Sequence, residues 1–76
     1  MKGFGKNLKA ERTAAGLSQM EMARLLGVKQ QQVSQWECDK VEPTLYNIAM
    51  ILQILEIHFE DLMEGVDLPQ LENKKG

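Results

Sequence analysis

The chain has little of what catalysis or covalent stapling requires. A single cysteine, Cys38, excludes an internal disulfide and any multi-cysteine metal site, and a lone thiol fits a reducing compartment. The single histidine, His58, has no second ligand at a metal-binding spacing, so it reads as a structural or surface residue. No metal and no cofactor are expected. No phosphate-cradling glycine loop and no HExxH pair is present. The adjacent carboxylates Glu60 and Asp61 fall on different faces of a helix. No apolar run approaches the ~20 residues that span a bilayer, and no signal-peptide pattern opens the chain. These absences predict a soluble, cytoplasmic protein that is not an enzyme and has no membrane partner. At 76 residues it holds one domain, with a small core and no room for a sizeable pocket, so no small-molecule ligand is expected.

Charge is also scarce in net terms, at −2, but it is unevenly placed. Residues 1–42 carry seven Lys or Arg against five acids, whereas residues 43–73 carry six acids and no Lys or Arg. A mildly basic half therefore meets an acidic half. The acids serve solubility, and the small basic excess predicts weaker nonspecific affinity for nucleic acid than a strongly basic domain shows.

The informative stretch is Ser18 to Lys40, SQMEMARLLGVKQQQVSQWECDK. Ser18 followed by Glu21 has capping-box spacing, and Met22, Ala23 and Leu26 form one buried face. Gly27 stops this helix, Val28 anchors a turn, and a second helix starts near Lys29. In that second helix only Val33 and Trp36 are large and apolar. Its remaining surface is Lys29, Gln30, Gln31, Gln32, Ser34 and Gln35, with no acid before Glu37. Amide and hydroxyl groups in fixed directions can enter a negative groove, and glutamine can bond adenine N6 and N7 together.

Around this stretch, a first helix is expected from Phe4 or Lys6 to Ala15, with Leu8, Arg12 and Ala15 along one side. Cys38 to Pro43 reads as a loop. Thr44 then caps a longer helix whose inner face is expected at Leu45, Ile48, Ala49, Leu52 and Leu55. Met50, Ile51 and Ile54 widen its apolar surface. A last short helix spans about Phe59 to Glu64, and Gly65 ends it. The expected domain is residues 4–65, followed by a mobile tail at 66–76.

Arg12, Gly16-Leu17-Ser18-Gln19, Ala23, Leu26-Gly27-Val28, Val33-Ser34, Trp36-Glu37 and Pro43-Thr44-Leu45 stand in an ungapped pattern. The pattern resembles that of the phage repressor and Cro family, also called XRE or lambda-repressor-like, over about residues 4–64. The resemblance implies an all-α, compact five-helix domain with its helix–turn–helix at 18–37. It further implies a transcriptional regulator, with repression the expected sign, that reads operator DNA in the major groove. Matching positions make Lys29, Gln30, Gln31 and Ser34 base contacts, with Gln35 serving base or backbone. Gln19, Gln32 and Lys40 are expected on the DNA backbone. Arg12 and Glu37 occupy positions that the family often pairs. The chain departs from the family at Glu11, often apolar there; at Lys29, where Ser or Thr caps the helix; and near Asp39, usually glycine.

Operators read by this fold are commonly two-fold symmetric. A homodimer is therefore expected through Met50, Ile54, Ile57 and Met63, whose apolar surface exceeds what a core this small encloses. The alternative is a protein-interaction module of the same fold, an antitoxin or transcription cofactor.

Overall fold

The computed structural model describes residues 1–68, so part of the expected tail, 69–76, lies outside the described residues. The fold is all-α: α1 (Phe4–Ala14), α2 (Gln19–Leu26), α3 (Gln30–Glu37), α4 (Leu45–Leu55) and α5 (Phe59–Met63). Among the described residues no strand forms, and an isolated antiparallel bridge joins Lys2 to Asp67. Asp67 N–H donates to the Lys2 carbonyl at 2.9 Å, two positions beyond the expected boundary at 65, and Val66 packs on the core. Among the described residues no helix is long and apolar enough to cross a membrane.

One core gathers Phe4 and Leu8 of α1, Met22, Ala23 and Leu26 of α2, Val33 and Trp36 of α3, Ile48, Ile51 and Leu55 of α4, and Leu62 of α5. Fully burying each large member is worth about 1.5–3 kcal/mol. In α1 the buried positions are Phe4, Gly5, Leu8 and Arg12, while Ala15, expected on that side, is exposed. Asn7 fastens α1 to the end of α5 by donating to the carbonyls of Leu62 and Glu64 at 2.7 and 2.8 Å.

Helix α4 turns a different face inward from the one expected. Ile48, Ile51 and Leu55 are buried and Leu52 is half-buried, but Ala49 is exposed and Leu45 is 81% exposed. The helix is apolar nearly all round, so periodicity alone had no polar side against which to fix its rotation. Packing of Ile51, wholly enclosed, decides it.

Candidate nucleic-acid interface

Helix α2 starts as its sequence requires. Ser18 Oγ accepts from Glu21 N–H at 3.0 Å, and Glu21 Oε1 accepts from Ser18 N–H at 2.8 Å. The second of these bonds favours the ionised carboxylate and is the largest cause holding the Glu21 pKa below its ordinary value. At the other end Gly27 takes φ +74°, and Val28 N–H reaches back to the Ala23 carbonyl at 3.0 Å. That turn swings the chain into α3.

In α3, Val33 and Trp36 are buried, which fixes the rotation of the helix and leaves the opposite arc outward. Lys29, Gln30, Gln31 and Gln32 are exposed, and Ser34 and Gln35 are half-buried. Lys29 stands at the N-cap with no side-chain cap, because an ammonium cannot accept a hydrogen bond. Gln32 supplies half of the missing box: its Oε1 accepts from Lys29 N–H at 3.1 Å. Gln32, expected on the DNA backbone, thus also holds the start of its own helix.

The carboxyl end of α3 is anchored in the interior. Arg12 Nε and Nη2 donate to Glu37 Oε2 and Oε1 at 2.6 and 3.0 Å, with side chains 7% and 3% exposed. Arg12 Nη1 also donates to the Leu17 carbonyl at 2.7 Å. The hydrogen bonds to Glu37 raise the Arg12 pKa above its ordinary value. Pairing cancels the one acidic charge of α3, so the helix offers no buried repulsion to a polyanion. Gln19 Nε2 donates to Glu37 Oε1 at 2.9 Å, and Gln30 Nε2 donates to Gln19 Oε1 at 3.4 Å. Gln19, Gln30, Glu37 and Arg12 are therefore contiguous.

The α3–α4 loop adds two features. Lys40 is exposed, and its N–H donates to the Gln35 carbonyl at 3.0 Å, which places it just past the end of α3. Asp39 has φ +59°, the left-handed conformation, and its carboxylate accepts from Gly3 N–H at 2.9 Å and Gly5 N–H at 2.7 Å. It thereby caps α1 from a distant loop, and those bonds, Gly3 first, hold its pKa below the ordinary value. This capping role went unread in the sequence; the only signal was an Asp where glycine is usual. A Cβ on Gly5 would collide with the Glu37 carbonyl, so the two helices approach this closely only because residue 5 is glycine.

Met50, Ile54, Ile57 and Met63, expected at a dimer interface, are half-buried and pack against the core. The freest large apolar side chains lie elsewhere on that half of the chain, at Leu45 and at Tyr46, 70% exposed. Among the described residues no group of three His, Cys, Asp or Glu side chains could hold a metal ion.

Residues 8–62 match the family described as Helix-turn-helix. The chain belongs to this family. It is 37% identical over 62 residues to a prophage-derived HTH-type transcriptional regulator of Bacillus subtilis. That match covers 82% of the chain, which spans only 57% of the relative's length. Among solved structures, the restriction-modification controller protein C.AhdI of Aeromonas hydrophila superposes with TM-score 0.73 at 35% identity, covering 79% of this chain and 91% of that one. The P22 c2 repressor, solved in complex with a synthetic operator, superposes with TM-score 0.76 at 25% identity, covering 86% and 98%. The similarity to phage repressors read from the sequence is thus shown for the family and for the five-helix fold.

Proposed function

We propose that the protein is a sequence-specific DNA-binding transcriptional regulator, acting as a repressor by occupying operator DNA in the cytoplasm. One observation carries this reading: the outward arc of α3 displays amide, hydroxyl and ammonium groups, while its acid is neutralised inside by Arg12. In this reading Lys29, Gln30, Gln31, Ser34 and Gln35 face base edges, and Gln19, Gln32 and Lys40 meet phosphates. The regulator named in Bacillus subtilis and the operator-bound P22 c2 repressor support the assignment. The chain's role is binding, not catalysis. A homodimer through the outer halves of Met50, Ile54, Ile57 and Met63 would carry two recognition helices to one operator.

Selection of bound sequences from a random DNA pool tests this reading. The expected result is two inverted half-sites about one helical turn apart, ~34 Å. Gln30→Ala and Gln31→Ala should each lose ~1–3 kcal/mol of discrimination at neighbouring base pairs. Lys40→Ala should weaken all sequences alike and lower the salt slope by about one. A pool that returns no enriched sequence, with binding only to a co-purified protein, would overturn the DNA reading in favour of an interaction module.

A further inference from the structure

Helix α3 ends in a turn whose left-handed residue is not glycine. Lys40 N–H donates to the Gln35 carbonyl at 3.0 Å, and Asp39 N–H to the Trp36 carbonyl at 3.2 Å. This is the paired pattern of a Schellman turn, with Asp39 at the left-handed position, φ +59°. Glycine adopts that backbone at low cost, whereas a side chain there is strained. The strained side chain holds two distant groups: Oδ2 accepts from Gly3 N–H at 2.9 Å and Oδ1 from Gly5 N–H at 2.7 Å. Helix α1 has no acid in its own first turn and no side-chain N-cap, so Asp39 supplies both from another segment. Lys40 follows directly, exposed.

An acid beside a phosphate-binding lysine should by itself weaken binding to DNA. Here its charge is answered by the two N–H groups, by the positive end of the α1 dipole and by the nearby Lys2 ammonium. We propose that Asp39 is a positioning residue for the DNA contact of Lys40, its clasp on α1 setting where the loop carries that ammonium. The inference rests on the DNA-reading assignment above. Without the clasp the turn keeps its backbone bonds, but the loop loses its tie to α1. Ordering it as DNA binds then offsets part of what the contact contributes. Asp39 itself touches neither base nor phosphate, and its effect on DNA runs through its neighbour.

The experiment uses the full chain and the operator selected by the wild type, titrated across salt. Aspartate, asparagine and glycine all tolerate the left-handed backbone and offer α1 two, one and no oxygens. Plain electrostatics predicts that Asp39→Gly, which deletes an acid, binds DNA more tightly. The clasp predicts the opposite sign. Binding should weaken by up to roughly eightfold in 0.1 M salt, and the salt slope should fall by up to about 0.9, the value of one phosphate. Asp39→Asn should fall between the two. In the Lys40→Ala background Asp39→Gly should weaken binding no further, whereas a general loosening of the fold would weaken both backgrounds alike. Denaturant midpoints measured beside the titrations separate folding from binding for each variant. Tighter binding by Asp39→Gly, or equal losses in both backgrounds, overturns the role of the clasp and leaves the DNA reading intact. A wild type that enriches no operator overturns both.

Discussion

Helices α2 and α3 are eight residues each, and the protein holds them by opposite ends. Helix α2 is fastened where it starts, by the reciprocal bonds of Ser18 and Glu21. Helix α3 is fastened where it stops, by Glu37 on Arg12, and its start has only the half cap from Gln32. Isolated helices this short are marginal, so neither survives on propensity. The difference reflects what each end must do. The start of α3 carries Lys29 and Gln30 outward, and a serine or threonine cap there would replace a side chain able to reach a ligand. Stability withdrawn from that end is supplied at the far end, inside the core and away from the readout surface.

The strongest way to break this arrangement is to remove the anchor. Arg12→Ala and Glu37→Ala should each destabilise the fold by ~3–5 kcal/mol, because each strands a buried charge. Replacing both with well-packed apolar residues should cost much less than the two single changes combined. Denaturant titration of the singles and the double measures the coupling. A coupling near zero would mean that shape rather than charge holds α3, and the contrast with α2 would disappear.

The sequence exposed one of these two ends far better than the other. The α2 cap is a local pattern, Ser18 with Glu21, and the stop at Gly27 is equally local, so both were legible without any relative. The buried anchor spans 25 positions, and only the family resemblance brought Arg12 to Glu37. The Asp39 clasp on Gly3 and Gly5 joins residues 36 and 34 positions apart, and the resemblance pointed toward glycine there, not toward a cap. The inner face of α4 was misjudged because Leu45 and Ala49 fit a helical stripe as well as Ile51 does. Gln32 looked like one more amide in a run, since its bond to Lys29 N–H depends on where α3 begins. Local chemistry was readable, and contacts between distant segments were readable only where a relative had already placed them.

Exchanging the caps sharpens the comparison at a smaller scale. Ser18→Ala should destabilise the protein by about 1 kcal/mol, the usual cost of losing such a cap. Lys29→Thr should do the reverse, adding ~0.5–1 kcal/mol by giving α3 the missing acceptor. The same change should weaken operator binding, because it removes an ammonium from the interface. Denaturant midpoints beside a DNA titration read both effects. A Lys29→Thr protein that is no more stable would show that Gln32 already satisfies the start of α3, and the trade between stability and contact would be refuted.

Acid separates the two helices most gently. The α2 cap contains a titrating group, Glu21, and the loop beyond α3 contains another, Asp39, whereas the start of α3 is held by the amide of Gln32. Both carboxylates have folded pKa values below their ordinary ones, through N–H bonds from Ser18 for Glu21 and from Gly3 and Gly5 for Asp39. The unfolded chain therefore takes up these protons first as pH falls, and stability present at neutral pH is lost from about pH 4.5 downward, through the folded values. The loss should be small, because both groups are exposed and solvent screens them. Glu21→Gln with Asp39→Asn should lower stability at neutral pH and flatten its fall toward acid, while Gln32→Ala should shift the whole curve down without changing its slope. Denaturant midpoints across that range check both. Parallel curves for the wild type and the double variant would mean that the acid response comes from other carboxylates, and the caps would then differ in geometry but not in charge.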